Sequence, residues 1–248
     1  MPRYRLTVEY DGNGLVGWQR QDNGPSVQGF LENAVARFCG EEVCAVAAGR
    51  TDAGVHARAM AVHIDLSKDY PAEKVRDAVN FHLKPARIAI VHACVVSEHF
   101  HARFSATARA YEYVYVNRRA PLALELGRAW HIPQAMEADR MNEAAQYFVG
   151  HHDFTTFRAA QCQAKSPLKT LSEIDVRRDG AMVRLKVRAP SFLHNQVRSI
   201  AGTLMEVGIG KRVPESIAEA LQARDRKHCG QVAPAHGLYF DAAFYGDT

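Results

Sequence analysis

At 248 residues, 47% of them hydrophobic and 23% charged, the chain has the composition of a folded protein with one large or two ordinary domains, which excludes a disordered or fibrous chain. Its 31 Lys and Arg against 27 Asp and Glu give a formal charge of +4, compatible with a nucleic-acid partner and too weak to argue for one. No run approaches the ~18 apolar residues of a membrane span, no signal-type apolar region precedes the first strand, and the five cysteines form no C-x-x-C pair. They read as small buried side chains in a reducing compartment, so the expected location is the cytoplasm and neither a disulfide set nor a zinc site is expected.

Residues 3–10 alternate as a strand, with Tyr4, Leu6, Val8 and Tyr10 on one face. Residues 11–24 form a loop containing Gly12-x-Gly14-x-x-Gly17, formally a dinucleotide fingerprint. It is rejected, because the fingerprint needs a helix opening at its third glycine and residues 18–25 carry no helical pattern. The helix begins later, with Ser26 as N-cap and Phe30, Leu31, Ala34, Val35 and Phe38 as its apolar stripe. Val43, Ala45, Val46 and Ala47 then read as a buried strand, and residues 60–66 as another.

Between those strands lies Gly49-Arg50-Thr51-Asp52-Ala53-Gly54-Val55-His56-Ala57. As a plain turn, it uses Asp beside Gly because the carboxylate bonds nearby backbone. As a site, it places basic Arg50 and His56 near Asp52, and opposite charge keeps a carboxylate ionised. A carboxylate acting as nucleophile or base at neutral pH needs that state.

The string resembles the active-site loop of tRNA pseudouridine synthases of the TruA type, which isomerise uridine to its C-glycoside within the anticodon arm. Within that resemblance, Tyr10-Asp11-Gly12 and Gly17-Trp18-Gln19 match a family loop near the active site and RNA. Read without it, they are a surface loop carrying one anchoring Trp.

Residues 71–83 predict a helix with Val75, Ala78, Val79 and Leu83 inward, and Ile88, Ile90, His92 and Cys94 mark a strand. The order strand, helix, strand, strand, helix, strand is ferredoxin-like, an α+β layer. A second cycle follows: a strand over 106–117, a helix over 138–149, a hairpin of 170–178 and 181–189 turned by Asp179-Gly180, helices over 191–207 and after Pro214, and a closing strand over 236–245. The expected organisation is two ferredoxin-like halves, 1–105 with the Asp52 loop and 106–248 with Tyr111 and Arg198. Their mostly antiparallel sheets are expected to join in the pseudouridine synthase fold, with a catalytic cleft at the seam.

Tyr111, Tyr113 and Tyr115 share one strand face, opposite Ala110, Glu112, Val114 and Val116. Such a face is more often core than a stacking platform. The resemblance implies an active-site tyrosine here, best matched by Tyr111, stacking on the target uracil and helping to move protons. Arg103 and Arg109 flank the strand and suit phosphate contacts. Gly150-His151-His152-Asp153-Phe154-x-x-Phe157 resembles a family segment, GxHDFxxF. A metal at those histidines is set aside, since no further ligand follows at fixed spacing. Arg184, Lys186 and Arg188 alternate with apolar residues in one strand and read either as a solvated face or as a stripe that tracks phosphates.

In the helix Phe192-Leu-His-Asn-Gln-Val-Arg198, the arginine lies beside a core stripe of Leu193, Val197, Ile200, Ala201 and Leu204, and a buried charge wants a partner. The string resembles the family's FLxxQVRxxxGTL, whose arginine is implied to pair with the catalytic aspartate, here Asp52. Ala233-Pro-Ala-His-Gly-Leu238 resembles the closing APAxGLxL strand, and Leu238 is implied to form an apolar wall. Phe240, where an aliphatic residue is usual, and His194 depart from the pattern and touch packing rather than chemistry.

The activity implied is cofactor-free isomerisation of uridines 38, 39 and 40 of tRNA through Asp52, supported by Arg50, Tyr111, Arg198 and Leu238, by a homodimer across which one tRNA lies. The rival reading is a non-catalytic RNA-binding module of ferredoxin-like repeats. It explains the folds and the basic hairpin, but not an Asp between Arg50 and His56, nor Arg198.

Overall fold

The computed structural model describes residues 1–246. The chain packs as two compact units, one made of Met1–Arg109 with the segment that begins at Tyr239, the other of Ala110–Leu238.

In the first unit, β1 (Arg3–Tyr10) alternates as expected, burying Tyr4, Leu6, Val8 and Tyr10. Helix α1 (Val27–Cys39) starts where Ser26 Oγ accepts the Gly29 amide at 3.2 Å. Val27, Leu31, Ala34 and Val35 face inward. Phe30, assigned to that stripe, is exposed, because its place one residue before Leu31 turns it off the face, and Phe38 is only half buried against Tyr70. Strand β2 is limited to Val46–Ala47, and β3 (His56–Asp65) begins before the expected residue 60, so His56 and Ala57 belong to the strand rather than the loop. Helix α2 (Ala72–Leu83) turns Val75, Val79 and Leu83 inward and leads to β4 (Ile88–Val96). Strand β1 lies between β3 and β4, antiparallel to both, with Tyr4 opposite Ile64 and Val95.

In the second unit, β5 (Ala106–Asn117) pairs in parallel with a short β6 (Trp130–Ile132) that periodicity did not mark. Then follow α3 (Ala138–Ala145), β7 (Gly150–Asp153), β8 (Leu168–Leu171), β9 (Glu173–Asp179), β10 (Met182–Ala189), α4 (Gln196–Gly208) and α5 (Ser216–Ala223). The expected hairpin is β9 and β10, turned at Asp179-Gly180, whereas residues 168–171 pair separately with β7. Helix α4 starts five residues later than predicted. Asn195 sits at φ 60, a left-handed conformation through which no α-helix runs. The last strand, β11 (Leu238–Tyr245), follows a 3₁₀ turn over 235–237 and lies parallel to β3, Tyr239 opposite His56 and Phe240 opposite Ala57.

The architecture is α+β with mostly antiparallel strands. Among the described residues, no helix is long and apolar enough to cross a membrane. All five cysteines are free, but none is buried as expected: Cys44 is exposed and the others are half-buried.

Candidate active site

Residues 48–55 connect β2 to β3 and carry Asp52 half-buried at a turn closed by the Val55 amide on the Asp52 carbonyl, 3.2 Å. The loop after β1 clamps this turn through main chain. Trp18 N donates to Thr51 O (3.1 Å) and Gly54 N to Leu15 O (3.3 Å), while the Tyr10 and Thr51 hydroxyls meet at 2.8 Å. A Cβ on Gly17 would stand 2.3 Å from Thr51 O, and one on Gly12 would stand 2.2 Å from Val55 O. Those glycines, which superficially spell a dinucleotide motif, are there so that one loop can lie directly against the other. At the other end, the Arg109 guanidinium donates from Nε and Nη2 to Ala48 O, each at 3.1 Å, and also to the carbonyls of Ala106 and Arg103.

His56 is 2% exposed, and its Nδ1 accepts the Gly12 amide at 3.0 Å. Asp11 Oδ1 lies 3.2 Å from the same nitrogen. Asp11 also meets Arg87 (3.1 Å) and the Asn13 amide (3.0 Å). His56 thus fastens the start of β3 to the loop after β1. Its ring stacks on Tyr239 of β11 at 4.7 Å, and the Arg58 guanidinium lies 4.6 Å from the same Tyr ring. Arg50, the other basic neighbour in the sequence, is exposed.

In the second unit, Arg198 is held by main chain and side chain together. Its Nε donates to Ala233 O at 2.7 Å and its Nη1 to Asn195 Oδ1 at 3.0 Å. The left-handed Asn195 also accepts the Ser199 amide on its carbonyl (2.9 Å), so a single residue ends the preceding segment, starts α4 and aims the arginine. The tyrosines of β5 divide by environment. Tyr113 and Tyr115 are fully buried, donating to Pro234 O (2.9 Å) and Ala201 O (2.8 Å), and burial pushes both phenols upward in pKa. Tyr111 is half-buried, its ring edge-to-face with Phe192 at 5.1 Å. Leu238 is 6% exposed at the start of β11.

Arg184, Lys186 and Arg188 are engaged within the protein. They do share one face of β10, with Val183, Leu185 and Val187 buried on the other. Yet Arg184 and Lys186 both face the buried Glu112 carboxylate, at 2.8 and 3.7 Å, and Arg188 meets Glu173 at 3.2 Å. The face is a ladder of ion pairs and not a row of free charges. The histidines once weighed as ligands fasten β7: His151 Nδ1 lies 2.9 Å from Thr170 Oγ1, and His152 Nε2 lies 2.8 Å from Val149 O.

Sequence reasoning put Gly12, Gly17 and Thr51 in loops near the site by resemblance without reading the close approach they permit, and it missed Asn195. The glycine spacing was the visible signal for the first two. The αL asparagine gives none beyond Asn being the residue that tolerates it best.

The family model described as tRNA pseudouridine synthase matches residues 6–105 and 144–245. Proteins of Brucella ovis, Brucella melitensis and Brucella abortus, each named tRNA pseudouridine synthase A, are 60% identical to this chain over 247 residues, covering 99% of it and 98% of each relative. With the Asp52 loop, the Arg198 helix and both matched segments in the family's order, the chain belongs to the tRNA pseudouridine synthase family.

Proposed function

We propose that the protein isomerises uridines 38, 39 and 40 in the anticodon arm of tRNA to pseudouridine, with the Asp52 carboxylate as the catalytic group. The observation that carries this reading is the Asp52 loop itself. Its main chain is fixed on both sides by the loop after β1 and by Arg109, so the carboxylate stands on a rigid support. In the reaction the N1–C1′ bond breaks, the uracil turns, C5 bonds to C1′, the C5 proton is lost and N1 gains one, so mass is unchanged and no oxidant is needed. Asp52 serves either by adding to C1′ or by removing the C2′ proton. The target base has to leave its stack to reach it.

In this reading Arg198 pairs with Asp52, Tyr111 stacks on the uracil, and Leu238 supplies an apolar wall. Tyr111 is the tyrosine suited to that part, since the hydroxyls of Tyr113 and Tyr115 are committed to carbonyls in the core. Arg50 supports Asp52, and Arg103, exposed, contacts phosphate. Arg184, Lys186 and Arg188 join Arg103 by exchanging their carboxylates for RNA, Lys186 most easily because its side chain is 61% exposed. Arg109, whose guanidinium is occupied with carbonyls, is a positioning residue for the loop. The enzyme acts as a cytoplasmic homodimer without cofactor or metal.

Undermodified tRNA tests this. The wild-type protein should form pseudouridine without changing RNA mass, whereas an N-glycoside hydrolase would release uracil. Asp52→Asn should still bind tRNA and form none; product from that variant would remove Asp52 from the chemistry.

A further inference from the structure

Phe104 has a part in neither the core nor the proposed chemistry. It is 76% exposed on the turn between β4 and β5. A single exposed apolar residue is ordinary, but this ring is built into place. It leans on the His101 imidazole, centroids 4.4 Å apart and planes at 31°. The Arg103 guanidinium lies 5.5 Å from its centroid.

The turn beneath is closed several times over. His101 Nδ1 accepts the Arg103 and Phe104 amides, both at 3.2 Å, while Ser105 N donates to His101 O and His101 N to Ser105 Oγ, each at 2.9 Å. His101 in turn packs on the buried His63, 4.8 Å between centroids, which accepts the Ala102 amide at 3.1 Å. Arg109 ties this turn to the site, since it donates both to Arg103 O and to Ala48 O, four residues before Asp52.

From this geometry we infer that Phe104 is a stacking platform for an unpaired nucleobase of the RNA substrate, with Arg103 beside it for the flanking phosphate; the inference rests on RNA being the substrate. A base inside a duplex already has both faces covered, so the ring suits one left open by a loop or by extrusion of its neighbour. Every base has a π-face, so the contact adds affinity without choosing sequence. Because the turn is already rigid, binding orders little, and most of the stacking is retained as affinity.

The test is binding of labelled tRNA at several salt concentrations. Phe104→Ala should weaken binding by about 5- to 150-fold, the factor that base–aromatic stacking supplies, with thermal stability and the salt slope unchanged because no counterion is released. Arg103→Ala should lower that slope by about one unit. Phe104→Trp should keep wild-type affinity, and its added indole emission should be quenched by tRNA. Wild-type binding by Phe104→Ala, or an unquenched indole, would overturn the platform. So would a loss of affinity that follows a loss of stability and is not rescued by Trp. If the wild-type enzyme modifies tRNA while Phe104→Ala is unaffected, only the platform fails. If the wild type neither binds nor modifies tRNA, the parent reading fails with it.

Discussion

Around Asp52 most of the holding atoms described are main chain: amides of Trp18, Gly54 and Val55, carbonyls of Leu15, Thr51 and Asp52, and glycines where a Cβ would collide, joined by the Tyr10–Thr51 hydroxyl pair and the Arg109 guanidinium. Around Arg198 they include a side-chain amide and a carbonyl, with Asn195 as the hinge of the arrangement. The first kind of support is insensitive to the identity of most side chains and intolerant of any atom inserted between the two loops. The second depends on which functional group one residue presents, so it is open to chemical substitution. Asp52 and Arg198 are thus supported by different means.

The largest effect should come from inserting an atom into the main-chain clamp. Gly17→Ala places a Cβ against Thr51 O at a φ of 109, costing about 1–3 kcal/mol of strain. Moving the loop by a fraction of an ångström to relieve it should lower single-turnover rates by about a hundredfold. A fully active Gly17→Ala would mean that the clamp does not set the position of Asp52.

Next comes the aim of Arg198. Asn195→Gly keeps the left-handed backbone and deletes the acceptor, whereas Asn195→Asp keeps an acceptor oxygen. Glycine should slow turnover about tenfold and move the acid limb of the pH–rate profile to higher pH, and aspartate should restore much of the rate. Equal rates in both variants, with an unmoved limb, would separate Asn195 from the charge balance at Asp52.

The smallest effect concerns a backbone amide held by a titratable ring. Burial, then the positive charge of Arg3 and the His101 ring, lowers His63 from an ordinary 6.5 to about 4, with Asp65 opposing. The unfolded chain therefore takes up this proton first. The associated stability is intact above about pH 6.5, declines as pH falls toward about 4, and is lost below that. His63→Asn, which can still accept the Ala102 amide, should flatten that part of a denaturation-versus-pH curve. An unchanged slope would show that another group carries the proton uptake.

Local periodicity made much of this legible. The alternation of β1, the Ser26 cap and the inner face of α2 depend on near neighbours, and each is found where its pattern puts it. The Asp52 string was readable as a loop between two strands. Its boundary was not, because His56 and Ala57 extend β3 through the pairing of Ala57 with Tyr10, a partner distant in sequence. Nothing in Tyr111, Tyr113 and Tyr115 as letters says that two of them end on core carbonyls and the third on Phe192. Nor does alternation along β10 show that a buried Glu112 awaits two of its cations. Such facts belong to contacts that only the folded chain creates.

Strand β11 gives the order of events during synthesis a bearing on the Asp52 loop. Tyr239, which stacks on His56, becomes available only after the ribosome has added residues 110–238. At about 5–20 residues per second that is a delay of about 6–26 s, in which the nascent first unit holds its loop against β1 but lacks its final strand. His56 and Arg58 then lack the Tyr239 ring against which each rests. Chains truncated before residue 239 would be fixed in that unfinished form, with the Asp52 loop present and the strand paired to β3 at His56 and Ala57 absent.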